Sequence, residues 1–499
     1  MLKTAPIFTD HMVIQREKPF RIWGTGEDGT EVSAQIGSLK GVSEVVNGKW
    51  EIVLPAMPAG GAYTLKVTDG TETLTFSDIV SGEVWLCGGQ SNMELVMINS
   101  DNPEPALNTC RESNVRLYHV GKRGVFDEQF FEEEQNSCWQ LPERDTCQYW
   151  TAIGYYFGER LAKKLGVTVG LIECNYGGSS ASAWISEKML RSTEVGQSYL
   201  DDYSKGMEGL TDEEACQAYQ EYCDYHNRWQ ERVAQCYNEN PDISWDEVLE
   251  KCGENRYPGP YAPNNPLRPH GLYDTMITRI TPYTMRGVLY YQGESDEHRP
   301  EGYEMLLSSL IHQWRTDFKD ETLPFLLVQL PMFSYEDRQK GTEWALIREA
   351  QEKVYQNVRH TGLAVIPDCG EYNEIHPKEK RIPAKRLYLQ ALKEVYHLQE
   401  NGTTAPMFRD AVAGNGTIHI HFDNVENGLE LHGTSGFEVC GTDGEWYPAH
   451  PKVNRHTLIL SSEKVPHPVG ARYLWYNYGE VTLFERNGLP ASPFRTVSD

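Results

Sequence analysis

Between residues 79 and 399, short apolar runs alternate with stretches of helical spacing. This alternation constrains the fold more than any other feature of the chain. The runs are Val84–Cys87, Val167–Cys174, Arg286–Tyr291, Pro324–Pro331 and Leu363–Pro367. Each is too short for a helix and reads as a buried strand. Between them, Trp150, Ile153, Phe157, Leu161 and Leu165 fall at helical spacing, with Gly166 as a stop. Tyr303, Leu306, Leu307, Leu310, Ile311, Trp314 and Phe318 do the same. Further helices are expected over about 342–357 and from the His376 loop to about Leu398. Strands alternating with helices predict an α/β fold, a mostly parallel sheet with helices on both faces.

The flanks are patterned differently. Residues 1–78 carry β-formers separated by turn residues and predict a β-sandwich module. Residues 400–499 return to β patterning and predict a C-terminal β module. Within 79–399, the segment 99–148 is polar with weak periodicity. The segment about 188–263 is rich in Glu, Asp, Gln, Tyr and Cys and predicts a helical insertion.

Composition bounds the function. The net charge of −26 argues against nucleic-acid and anionic-membrane partners. No apolar run reaches the ~18–20 residues of a membrane-spanning helix. The N-terminal residues show no secretory pattern, so a cytoplasmic location is expected. The 11 cysteines form no C-x-x-C pair, and free buried thiols are the expectation.

Several strand ends carry polar residues beside glycine. Val84–Cys87 runs into Gly88-Gly89-Gln90-Ser91-Asn92-Met93, and the second strand into Asn175-Tyr176-Gly177-Gly178-Ser179. The third ends at Gln292-Gly293-Glu294-Ser295-Asp296, and the last leads to Glu371-Tyr-Asn-Glu-Ile-His-Pro377. In a parallel sheet these ends share one edge, so residues distant in sequence meet there. A serine beside glycines can simply cap a helix. The full set, however, fits acyl transfer. Ser91 would be the nucleophile and His376 its base. The N–H of Ser91, that of Gly177 or Gly178, and the Gln292 amide would receive the oxyanion. Gln90 and Asn92, beside the nucleophile, are expected to touch substrate. No cluster with metal-ligand spacing accompanies them, so no metal is expected.

The chain resembles the sialate O-acetylesterase family, within the SGNH-type hydrolases. The resemblance rests on W-L-C-G-G-Q-S-N-M-E (85–94), N-Y-G-G-S-S-A-S-A-W (175–184), L-Y-Y-Q-G-E-S-D (289–296) and N-E-I-H-P-K-E-K (373–380). It extends to I-F-T-D-H-M-V-I-Q-R (7–16) and N-G-L-P-A-S-P-F-R-T (487–496). It implies an SGNH/flavodoxin-like three-layer α/β/α hydrolase domain. It also implies Ser91 as acylated nucleophile, His376 as base, and hydrolysis of O-acetyl esters on sugars without a cofactor.

SGNH hydrolases commonly carry Asp three residues before the histidine; here that residue is Asn373. The family's acids are matched by Glu374 and Glu294, either of which could orient His376. A sialate carboxylate needs a cation, and Arg268, beside His270, is the candidate. Acetylated xylan or mannan oligosaccharides are the alternative substrates. A non-catalytic carbohydrate-binding protein on the same scaffold is the alternative of another class.

Overall fold

One strand, Thr73–Gly89, runs from the N-terminal β region into the centre of the molecule. Its first half pairs antiparallel with Gly60–Thr68. Its second half pairs parallel with Val169–Asn175 on one side and Gly287–Tyr291 on the other. The boundary expected after residue 78 therefore falls inside a continuous strand. The correction has a simple origin. The first half alternates exposed and half-buried residues, whereas the second half is buried throughout. A pattern break marks where the covering layer changes, and the backbone continues through it. The computed structural model describes residues 1–240, 243–335, 338–398, 400 and 402–496.

The central sheet runs in the order Trp139–Gln140, Val115–His119, Val169–Asn175, Thr73–Gly89, Gly287–Tyr291, Phe325–Val328, Thr361–Ala364. All neighbours are parallel except the short first strand, which is antiparallel to Val115–His119. The last two of these strands and Gly287–Tyr291 are buried along their whole length. That is why they read as continuous apolar runs: helices cover both faces. Successive residues of the Ser91 strand show it. Cys87 faces Gly154 of the helix Ala152–Leu165, and Gly88 faces Trp314 of the helix Tyr303–Asp317. Thr151 caps the first of these helices through the Gly154 N–H, and Gly166, in the left-handed region, ends it.

The 99–148 segment contributes the strand Val115–His119, which its polar surroundings mask in the sequence. The 188–263 segment contains the helices Glu194–Gly206, Asp212–Glu239 and Trp245–Cys252. The long middle helix opens on a capping box of Thr211 and Glu214. Trp229, Ile243, Val248 and Cys252 form a small core of the insertion's own. Cys87, Cys110, Cys147 and Cys174 are free and buried, whereas Cys138 is exposed, contrary to the expectation of burial. Beyond residue 402, two four-stranded antiparallel sheets enclose a separate core around Ile420, Val439, Leu460 and Tyr473. Buried Arg348 ties this module to the central domain by donating to the Tyr476 carbonyl at 2.6 Å.

Candidate active site

Ser91 sits where its strand stops. Gly89 has φ +127, and a side chain there would strike the Tyr291 carbonyl, so only glycine turns the chain at this point. A single helical turn, Ser91–Glu94, follows. As its first residue, Ser91 has no intrahelical acceptor for its N–H. The Oγ of Ser91 lies 2.8 Å from Nε2 of His376, although 285 positions separate them.

The His376 loop is shaped by Asn373, whose φ is +61 and whose N–H donates to the Ser334 carbonyl at 2.8 Å. Of the two candidate acids, Glu374 is the one beside the imidazole. Its Oε1 accepts the backbone N–H of His376 at 2.7 Å and lies 4.0 Å from Nδ1. The second separation is an ion-pair contact longer than a hydrogen bond.

Glu294 does not orient His376 directly; that reading is corrected. Glu294 is buried and accepts from Asn92 Nδ2 at 2.7 Å. The same amide donates to the Ile375 carbonyl at 2.9 Å, and Lys380 Nζ donates to Asn92 Oδ1 at 2.6 Å. Asn92 is therefore a buried clamp between the nucleophile turn and the histidine loop, not a substrate contact.

Burial dominates the electrostatics. It lowers His376 below the usual imidazole range; Lys380 pushes the same way, while Glu374 and Glu94 oppose. The ring is therefore neutral near pH 7, as a general base requires. Burial also raises Glu294, against its hydrogen bond from Asn92, and depresses Lys380 to about 8, against the pull of Glu294.

Among the described residues, the N–H groups of Ser91, Gly177 and Gly178 donate to no group of the chain. A Cβ on Gly177 would stand 3.6 Å from that of Ser91 and 2.9 Å from Glu94 Oε2, so glycine keeps this wall close and open. Gln292 was the expected third donor, and its geometry argues otherwise. Its Nε2 is shared among Asp296 Oδ2 at 2.6 Å, the Ser179 carbonyl at 3.1 Å and Gln90 Oε1 at 3.2 Å, and the residue is 1% exposed. Gln90, expected to touch substrate, is buried too. Its Oε1 also accepts the N–H groups of Gly293 and Ser295. These two amides lock the strand ends together beneath the site.

Arg268 and His270 are likewise engaged within the chain. Arg268 donates to the Gly124 and Asn265 carbonyls and lies 3.7 Å from Asp274, and His270 Nδ1 is 2.6 Å from the same carboxylate. Neither offers a free charge to a ligand. Among the described residues, no group of three or more His, Cys, Asp or Glu side chains could hold a metal ion, and no helix is long and apolar enough to cross a membrane.

Sequence reasoning missed Lys380 and Lys122. Lys380 stands at the cap position before the helix Arg381–Glu394, where the macrodipole disfavours a cation. That misplacement is the signal that could have exposed it. Lys122 bonds Glu94 Oε1 at 2.8 Å and Asn175 Oδ1 at 3.1 Å, bridging the first two strand ends. It lies in the polar segment and carries no local signature.

A serine and a histidine in contact at the carboxyl edge of a parallel sheet covered by helices are an arrangement consistent with the SGNH-like carbohydrate esterases. A profile of the carbohydrate esterases described as sialic acid-specific acetylesterases matches residues 261–375. The chain is 25% identical to the sialate O-acetylesterase of Mus musculus, with 98% of this chain and 93% of that one aligned. It is 24% identical to that of Homo sapiens, over 98% and 91%. A crystal structure of a carbohydrate acetylesterase from Xanthomonas citri superposes with a TM-score of 0.78 over 99% of both chains, at 26% identity. Along nearly its whole length the chain is similar to the sialate O-acetylesterases, and it is a carboxylic ester hydrolase.

Proposed function

We propose that this protein removes O-acetyl groups from sugars through an acetyl-enzyme on Ser91. The contact between Ser91 Oγ and His376 Nε2 carries the reading. His376 takes the hydroxyl proton as Oγ bonds to the acetyl carbonyl carbon. The carbonyl oxygen becomes an oxyanion and meets the N–H groups of Ser91 and of the Gly177–Gly178 turn. As the tetrahedral species collapses, the imidazolium returns its proton to the departing sugar oxygen. Water then attacks the acetyl-enzyme, again losing a proton to His376, and acetate leaves. Glu374 stabilises the imidazolium from 4.0 Å.

Ser91→Ala is expected to abolish acetate release from 4-nitrophenyl acetate with the fold retained, and an organophosphonate should label Ser91 in the unmodified protein. Full activity in the alanine variant would remove Ser91 as the nucleophile, whereas neither turnover nor labelling in the unmodified protein would leave only a carbohydrate-binding protein.

The names of the relatives point to O-acetylated sialic acids as substrates. One observation favours a neutral acetylated oligosaccharide instead. The cations brought to the site, Lys122 and Lys380, are bonded to Glu94 and Asn92, and Arg268 is tied to Asp274. Acetate release from 9-O-acetyl sialic acid, set against release from acetylated xylo-oligosaccharides, decides between them.

A further inference from the structure

The helical insertion ends beside the nucleophile. Its return segment is fastened to the long helix Asp212–Glu239 at successive points. Tyr225 Oη donates to the Glu254 carbonyl at 2.6 Å, and Trp229 Nε1 donates to that of Gly253 at 2.8 Å. The Arg256 guanidinium lies 4.0 Å over the Tyr225 ring. The Tyr222 ring packs against Gly259, where a Cβ would come within 2.6 Å of it.

Between these anchors, the segment carries Tyr257 to the turn at Gly178. The Tyr257 hydroxyl donates to the Gly178 carbonyl at 2.6 Å, and its ring lies against the same glycine. A side chain at Gly178, whose φ is +71, would collide with the Tyr257 ring. Gly178 is one residue from Gly177, which borders Ser91. Tyr257 nevertheless remains 45% exposed. An aromatic ring is thus pinned by its polar end beside the turn that borders Ser91, with part of the residue open to solvent.

We infer that the insertion presents Tyr257 as a stacking platform for the sugar ring of the substrate, held at the correct height by its hydrogen bond to Gly178. Resting on the sugar-ester reading above, this inference assigns the 188–263 insertion a role in selecting the alcohol half of the ester. A pyranose has a face of C–H bonds that packs on an aromatic ring, and a tyrosine fixed at its hydroxyl loses little freedom on binding. The acetyl half needs no such surface, because it is held by the turn at Ser91 and Gly177.

The test compares two esters that share the acetyl group. One is 9-O-acetyl sialic acid or an acetylated xylo-oligosaccharide, whichever the protein cleaves faster; the other is ethyl acetate, which has no ring. Tyr257→Phe keeps the ring and loses the anchor, so the ratio of kcat/KM for the sugar ester to that for ethyl acetate should fall less than in Tyr257→Ala. Tyr257→Ala should lower that ratio by about tenfold, through KM for the sugar ester. An unchanged ratio in Tyr257→Ala overturns the platform. If the alanine variant cleaves neither ester, affinity for the deacetylated sugar decides: about tenfold weaker binding in Tyr257→Ala but not in Tyr257→Phe supports it, and equal binding overturns it. If the unmodified protein cleaves no ester at all, the sugar-ester reading itself fails, and this inference with it.

Discussion

The side-chain amide of Asn92 donates to the carbonyl of Ile375 at 2.9 Å, so the residue after Ser91 holds the residue before His376. Lys380 and Glu294 fix which way that amide faces, since one donates to its oxygen and the other accepts from its nitrogen. Replacement of Asn92 by leucine should let the histidine loop drift. A displacement of ~1 Å at a reacting group costs on the order of 10²-fold. Steady-state kinetics on 4-nitrophenyl acetate should show that loss in kcat, with KM nearly constant. A raised KM for the sugar ester with normal kcat would instead make Asn92 a substrate contact.

The acid limb of the pH–rate profile should have its midpoint below 6.5. Burial, reinforced by Lys380, lowers the His376 pKa, so the neutral ring persists to lower pH than for a solvated histidine. Activity is present above that midpoint and is lost as pH falls through it. Glu374→Gln removes an influence that raises His376 and should shift the midpoint lower; Lys380→Met removes one that lowers it and should shift the midpoint higher. Profiles of kcat/KM for the three proteins decide the matter, and parallel shifts in both variants would refute the assignment.

Gln292 should matter for stability more than for the transition state. Gln292→Met leaves Asp296, Gln90 and the Ser179 carbonyl without a shared donor in the interior. Asp296 and Gln90 keep other donors, so each lost bond costs on the order of 1 kcal/mol, and thermal denaturation should shift downward by several degrees. If the folded variant instead retained its Tm and lost ~10²–10³ in kcat, Gln292 would be an oxyanion donor after all.

Arg268→Met should leave discrimination between sialate and neutral sugar esters unchanged, because the guanidinium is already bonded to the Gly124 and Asn265 carbonyls. The variant should be less stable to urea. A selective loss of sialate turnover would restore Arg268 as a carboxylate contact.

The meeting of Ser91 and His376 is legible in the sequence because an apolar run that breaks at glycine marks a strand end, and parallel strands align such ends. What lies one layer below is not legible. Gln90, Asn92 and Gln292 lie beside the same glycine turns as Ser91, and a polar side chain at a strand end reads the same whether it faces the cleft or the interior. Depth depends on neighbours such as Tyr303, whose hydroxyl bonds Gln292 Oε1 at 2.7 Å from a different helix. Glu374 and Glu294 were equivalent for the same reason; only the fold shows that one lies beside the imidazole and the other beneath Asn92. The expected division after residue 78 lies where the cover of one continuous strand changes.

The strand Thr73–Gly89 gives that last point a practical side. The backbone that closes the N-terminal sheet is the same backbone that, two residues on, presents Ser91. Exchanging the front module for that of a relative must keep the length of this strand, because a splice that alters it resets the register of the central ladder. Evolution faces the same restriction: lengthening or shortening that strand by one residue would turn the nucleophile to the wrong side of the sheet.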